Sequence, residues 1–198
     1  MNPKSIALDV AVVGGGPAGL STCLELSEIA PGLKVALFES EGALGGIPRS
    51  SHLFFGMRDL KRIYTGPKYA RKLDERVRRT AVEVHTESTV FDIRPGEEQS
   101  GHSIHVVSPQ GVQRYTCRFL VLATGCCETP FAARLIPSVR PAGIFTGWQL
   151  RQMVRLFRLI PGRRAVVIGS EDAAFSALMT LRSAGVTVAG MVEEDGEC

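Results

Sequence analysis

The chain has no pair of cysteines at the spacing of a redox or metal motif. Its five cysteines, Cys23, Cys117, Cys126, Cys127 and Cys198, are odd in number. Both features argue against a disulfide framework and for a reducing compartment. No apolar run approaches the ~20 residues that a membrane-spanning helix requires. Nothing ahead of the first apolar stretch, "SIALDVAVV", has the charged lead of a secretion signal, so a cytoplasmic protein is expected. The formal charge of +3 is too small to argue for nucleic acid. His52, His85, His102 and His105 have no metal-ligand spacing with the cysteines, and no metal is expected. Ser50, Ser51 and His52 lack the acid and the nucleophile turn of a triad.

The chain does carry enough apolar residues, 44% of 198, to bury one or two domain cores. "LDVAVV" is the run of β-branched and small residues expected of a parallel strand buried on both faces. A glycine turn follows it, then a helix with Leu20, Cys23, Leu24 and Ser27 on one side, and then the strand "KVALFE". "GPKYARKLDERVRR" has the spacing of an amphipathic helix, with Tyr69 or Ala70, Leu73 and Val77 as its buried stripe. Short strands in "VEVHTESTVFDIR", "HSIHVVS" and "VQRYTC" suggest a small antiparallel meander, and "RFLVLA" a return to the parallel sheet. "WQLRQMVRLFRLI" reads as a helix with Leu150, Met153, Val154 and Phe157 inward and Arg151, Arg155 and Arg158 mostly outward. A second βαβ unit then begins at Ala165 and runs to "VTVAGMV". Basic residues gather between Arg58 and Arg79. A solvated helix face explains them, with docking of an acidic partner or anionic lipid as the alternative.

"VVGGGPAGL" places Gly14, Gly16 and Gly19 in a G-x-G-x-x-G pattern between a buried strand and a helix. In that context each glycine has a task. Gly14 permits the tight turn, Gly16 lets a pyrophosphate approach bare backbone, and Gly19 lets helix and strand pack closely. The helix start that follows Gly16 offers unpaired N–H groups to the phosphates. Glu39 stands about 20 residues further on, where a carboxylate accepts from ribose hydroxyls, and Ser40 follows it. The turn therefore predicts a dinucleotide.

The strand ending Ala123-Thr124-Gly125 after a meander resembles the FAD domain of two-dinucleotide-domain flavoproteins. The stretches "GGIPR", "FGMRDLKRIYTGPKYARKL", "VLATGCCETP" and "FTGWQLRQMV" through "VVIGSEDAAFSALMTLRSAGV" sharpen this. Together they resemble the FAD-containing subunits of hydrogen cyanide synthase, opine oxidase and dye-linked proline or hydroxyproline dehydrogenases. The resemblance implies an α/β fold: a Rossmann-like FAD-binding domain over 1–130, with a parallel sheet and a small antiparallel meander, then a truncated second Rossmann-like unit over 131–198. It implies FAD, held by Gly14, Gly15, Gly16, Pro17, Ala18, Gly19, Glu39, Ser40, Gly46, Ala123, Thr124 and Gly125, with the backbone of Val90 at the adenine. It also implies a second flavoprotein subunit and an iron–sulfur subunit as partners, a small amine or amino acid as substrate, and any membrane association to be peripheral, through a partner at the inner membrane. Relatives carry arginine at the position of Cys127 and histidine at that of Ser50, so no catalytic side chain is assigned.

In the second unit Glu171 and Ala174 stand where the second and third glycines belong. A carboxylate there fills the phosphate space and repels the phosphates, while Glu171 and Asp172 suit the positive end of the following helix, worth ~0.3–1 kcal/mol each. NAD(P) is therefore not expected at this second site, and electrons are expected to pass through a partner or quinone. Only one βαβ of the second domain is present, so the expectation is a fragment, a shortened reading frame or a chain completed by a partner. Two other readings stay open: an NAD(P)H-dependent flavin reductase of the disulfide-reductase type, and a non-enzymatic nucleotide-binding module. Adjacent Cys126 and Cys127 bridge only through a strained ring, and small buried turn residues are expected there.

Overall fold

The computed structural model describes residues 5–96, 101–129, 133 and 142–193. The chain divides into two compact units, one of residues 1–49 and 67–125, the other of residues 50–66 and 126–198.

The first unit is built on a six-stranded sheet in the order β5-β2-β1-β8-β7-β6. Strand β1 (Ile6–Val13) pairs in parallel with β2 (Val35–Phe38) on one side and with β8 (Gly111–Leu122) on the other. All four residues of β2 are buried. β5 (Glu83–His85) extends the parallel edge beside β2, rather than joining the meander as its sequence suggests. Helix α1 (Pro17–Ile29) buries Gly19, Leu20 and Cys23, while Leu24 and Ser27 are half-buried. Helix α2 (Gly66–Val77) buries the whole expected stripe, with both Tyr69 and Ala70 inside.

The meander, β6 (Thr89–Arg94), β7 (His102–Ser108) and the first half of β8, is antiparallel. The expected break between "VQRYTC" and "RFLVLA" does not occur. One strand of 12 residues pairs antiparallel with β7 over Gly111–Cys117 and parallel with β1 over Tyr115–Leu122. Tyr115 and Cys117 face inward, and pairing with β1 carries the strand on through the apolar run to Leu122, so no turn interrupts it. The core here comprises Leu8, Ala11, Ala36, Phe38, Ile104, Val106, Tyr115 and Cys117. Phe38 stacks on His85 at 5.0 Å and meets Tyr115 edge-on at 4.8 Å. These are favoured ring arrangements, and they give His85 a packing role.

The second unit holds a short antiparallel hairpin, β3 (Phe54–Phe55) with β4 (Tyr64–Thr65), and a parallel pair, β9 (Arg164–Ile168) with β10 (Thr187–Val192). Helix α3 (Gly147–Arg155) starts at a capping box made by Thr146 and Gln149. It ends before Phe157, which is exposed, so the expected inward stripe stops at Val154. Helix α4 (Asp172–Ser183) buries Ala174, Ala177 and Leu181 against Leu150, Val167 and Val186.

Arg151 departs from expectation. It is 5% exposed, not outward, because its guanidinium meets Glu128 at 3.4 Å. The other Glu128 oxygen accepts the Trp148 N–H at 2.6 Å, placing a carboxylate at the positive start of α3.

Candidate dinucleotide site

Four segments of the first unit meet at the turn between β1 and α1. The first is the turn itself. Gly14 has φ +106, and a Cβ there would lie 2.3 Å from the Ala123 carbonyl oxygen and 3.1 Å from the Thr124 nitrogen. Ala123 donates its N–H to the Val13 carbonyl at 2.8 Å, so the Ala123–Thr124 backbone is laid directly against the turn. A Cβ on Gly19 would stand 1.9 Å from the Gly14 carbonyl oxygen, which fixes the close approach of helix and turn. Both glycines are required by the protein's own packing.

Gly16 is different. It is the N-cap of α1, with φ −75 and ψ −178, a conformation open to any residue. A Cβ there would meet nothing within 4 Å. No side chain caps the helix start and no acid occupies its first turn, although Pro17 presets its first residue. Ala18 is exposed at this end. The N-terminus of α1 thus presents backbone N–H groups and partial positive charge to an open space.

Glu39 ends β2 and is only 9% exposed. One carboxylate oxygen accepts the Gly15 N–H at 2.7 Å. The other accepts the Glu41 N–H at 2.8 Å and the Ser40 hydroxyl at 3.1 Å. A carboxylate has about four lone-pair sites, so three donors leave capacity for a further hydroxyl. Backbone bonds from Glu39 N–H to the His85 carbonyl and from Ser88 N–H to the Glu39 carbonyl hold it in register. Ser88 lies two residues before Val90, which is half-buried on β6 beside the core. Strand β6 itself is the edge of the sheet opposite β5.

The fourth segment is the loop after β2. Gly45 donates its N–H to the Gly15 carbonyl at 2.7 Å, and a Cβ on Gly46 would lie 3.0 Å from the Gly16 Cα. Gly46 therefore sits against the turn. Gly125 is left-handed, φ +72, with open space around it. Sequence reasoning overlooked three residues of this loop. Leu44 is buried and would collide with any Cβ on Gly15. Gly45 has φ +115, and a Cβ on it would come within 2.6 Å of Ala70. Arg49 pairs with Glu41 and donates to the Ala43 carbonyl, tying the loop closed. The signal for Gly45 and Arg49 is the "GGIPR" string itself, which Leu44 immediately precedes.

The second unit repeats the strand–turn–helix geometry with different contents. Gly169 has φ +111, like Gly14, and Glu171 is the N-cap of α4 with φ −72 and ψ 168, close to the values of Gly16. Its carboxylate folds back on the turn: Oε2 lies 2.7 Å from where a Cβ on Gly169 would stand. Asp172 adds an acid to the first turn.

Other groups in the second unit are placed as follows. One terminal nitrogen of Arg155 lies 2.9 Å from each ring nitrogen of His52. Burial, and then the Arg155 charge, push the His52 pKa below its ordinary value. Cys126 and Cys127 are exposed, contrary to the buried turn expected of them, because they lie in irregular chain beyond β8. Cys198 lies outside the described residues. In the first unit, Cys23 and Cys117 are buried, and burial pushes the Cys23 thiol up to about 12.

The family model described as pyridine nucleotide-disulphide oxidoreductase matches residues 8–195. The chain belongs to that family. The HcnB component of hydrogen cyanide synthase from Pseudomonas protegens is 29% identical over 195 residues, which cover 95% of this chain and 39% of the relative. One of the subunits of the opine oxidase of Agrobacterium tumefaciens is 26% identical over 188 residues, covering 90% and 35%. The chain thus spans about two fifths or less of these relatives. Among solved structures, L-proline dehydrogenase from P. horikoshii superposes with a TM-score of 0.73 at 23% identity, over 94% of this chain and 36% of that one. Bacillithiol disulfide reductase from Bacillus cereus gives 0.70 at 19% identity, over 96% and 60%. Both share the fold. The expected α/β Rossmann-type architecture is borne out, and so is the expected membership of an oxidoreductase family. Among the described residues no helix is long and apolar enough to cross a membrane.

Proposed function

We propose that the chain holds FAD at the β1–α1 turn and works as an electron-relaying subunit of a dehydrogenase or oxidase that acts on a small amine or amino acid. One observation carries the cofactor assignment. Gly16 is a glycine that neither its backbone conformation nor its neighbours require. The one thing a side chain would obstruct there is a ligand lying on the helix start. The residues around it fit a dinucleotide diphosphate: backbone N–H groups at Gly16 and Ala18, a helix start preset by Pro17, bare backbone at Gly46, and Glu39 for the ribose.

FAD, when bound, supplies the acceptance and release of an electron pair; the chain binds and orients it. In this arrangement Gly15 and Ser40 orient the Glu39 carboxylate, Gly14 seats the Ala123–Thr124 backbone, and Gly125 and Val90 complete the cradle. Residues 1–130 then act as the flavin domain and 131–198 as the start of a nicotinamide-type domain. There Glu171 occupies the position that Gly16 leaves open, and this supports a second site closed to NAD(P). Electrons then leave through another subunit. The curated relatives are themselves named as subunits, which supports a heteromeric assembly; a second flavoprotein and an iron–sulfur subunit are the partners we propose for it.

The test is flavin uptake by the purified chain, read by absorbance and by quenching of flavin fluorescence. The native chain is expected to retain FAD, and Gly16→Glu to lose it while keeping its circular dichroism. Equal uptake by both would overturn the assignment. Reduction of bound flavin by NADPH, followed by stopped-flow, would favour the flavin-reductase reading instead.

A further inference from the structure

The hairpin of the second unit carries a feature that the dinucleotide site does not use. β3 and β4 hold a loop over 56–63 that is closed on itself. The Gly56 carbonyl accepts the Leu60 N–H at 3.0 Å and the Arg62 N–H at 3.3 Å. Gly56 and Lys61 take left-handed conformations, φ 99 and φ 53, that set the bend. Within this ordered frame three large apolar side chains stand out in solvent: Phe54 at 71%, Met57 at 59% and Ile63 at 61% exposure.

Among them stand Arg58, Lys61 and Arg62, all exposed. Their surroundings differ from those of the other cations in this basic stretch. On helix α2, Arg71 and Lys72 meet Glu75 and Arg76 meets Glu28, while Arg78, just beyond its end, meets Asp74. Each of those four cations meets an acid on a solvated face. In the loop, Lys61 donates to the Arg58 carbonyl at 2.8 Å, and among the described residues no ion pair joins Arg58, Lys61 or Arg62 to a carboxylate. Asp59 is the one acid of the loop, and it accepts the Leu60 N–H at 3.0 Å.

We propose that this hairpin tip is a membrane-surface anchor that seats on the anionic headgroup layer of a phospholipid bilayer. The surface needs both kinds of group. A short apolar insertion alone gives only weak, reversible attachment, and stable attachment comes from combining it with basic charge. The three cations have long stems that let the charge stay at headgroup level while the apolar tip enters below it. The positive tip repels its own copy in a tip-to-tip dimer, which disfavours self-association there. An exposed loop with apolar and basic groups interleaved suits a soft anionic layer, which need not offer a matching cavity.

The experiment uses the full chain and large vesicles of phosphatidylcholine, with and without a minority of phosphatidylglycerol, in a sedimentation assay. The native chain is expected to partition onto the anionic vesicles and not onto the neutral ones. Arg58→Ser/Lys61→Ser/Arg62→Ser is expected to lower that partition on the order of a hundredfold, since each cation near an anionic surface contributes roughly fivefold. Phe54→Ser/Met57→Ser/Ile63→Ser is expected to leave an attachment that moderate salt removes. Phe54→Trp, which keeps the loop aromatic, is expected to add a blue-shifted emission on anionic vesicles alone. Equal binding to both vesicle types, no binding to either, or an indole emission from the Phe54→Trp variant that anionic vesicles leave unmoved would overturn the proposal. So would a cation variant that binds as the native chain does, or selective binding of an acidic protein in place of the vesicles. The vesicle assay is independent of flavin, so its failure would leave the dinucleotide assignment standing.

Discussion

The buried carboxylate of Glu39 accepts the backbone N–H of Gly15 at 2.7 Å, joining the end of β2 to the glycine turn. Removing it leaves that N–H and the Glu41 N–H without their acceptor. An unsatisfied buried donor costs about 1–3 kcal/mol. Glu39→Ala is therefore expected to lower the unfolding free energy in urea by about 2 kcal/mol, even with no flavin present. Glu39→Gln, which retains one oxygen acceptor, should lose less.

The glycines of the turn are expected to separate cleanly. Gly19→Ala places a methyl 1.9 Å from the Gly14 carbonyl oxygen and should destabilise the fold by about 3 kcal/mol. Gly16→Ala meets no atom within 4 Å, and should stay within about 0.5 kcal/mol of the native chain. Urea unfolding of the two variants side by side checks this. Comparable losses from both would mean that Gly16 has a structural task after all.

Thiol reactivity should follow burial. Cys126 and Cys127 are exposed and should react with a thiol reagent such as Ellman's reagent within the mixing time of native protein. Cys23, whose thiol is pushed up to about 12 by burial, and Cys117, raised for the same reason, should react only on unfolding. Labelling followed by peptide mass spectrometry reads each position.

His52 makes stability fall in mild acid. Burial and the Arg155 charge lower its folded pKa beneath the unfolded value of 6.5, and an imidazole that accepts from Arg155 must be neutral. The unfolded chain then takes up a proton first as pH drops. The stabilisation is complete above 6.5 and is lost as pH falls from there through the folded pKa. His52→Gln should remove this part of the pH dependence, measured as urea midpoints at neutral and mildly acidic pH.

Much of the fold was legible because its signals are local. The continuous apolar run of β1, the glycine turn and the stripe of α2 each lie within a dozen or so residues of chain. What escaped is set by distant partners. Arg151 lies on the polar side of α3 by sequence, and only Glu128 in the folded unit makes its burial tolerable. The continuity of β8 depends on β7 and β1 lying alongside it, a fact that no window within the strand contains. At the candidate site, the glycines and Glu39 were legible from spacing. The loop of Leu44, Gly45 and Arg49 was not, because its tasks are contacts with Gly15, Ala70 and Glu41 rather than any periodic pattern.

Strand β8 has one more consequence, for synthesis. β1 faces it from Ile6 opposite Tyr115 to Val13 opposite Leu122. β1 therefore leaves the ribosome well ahead of β8 and waits for it before its second edge is filled, and such long-range pairing is slow to form. Until then an apolar strand with an open edge is offered to any other nascent chain, a known route to aggregation. Expression of this protein should accordingly depend more on the pace of translation and on chaperones than its final packing would suggest.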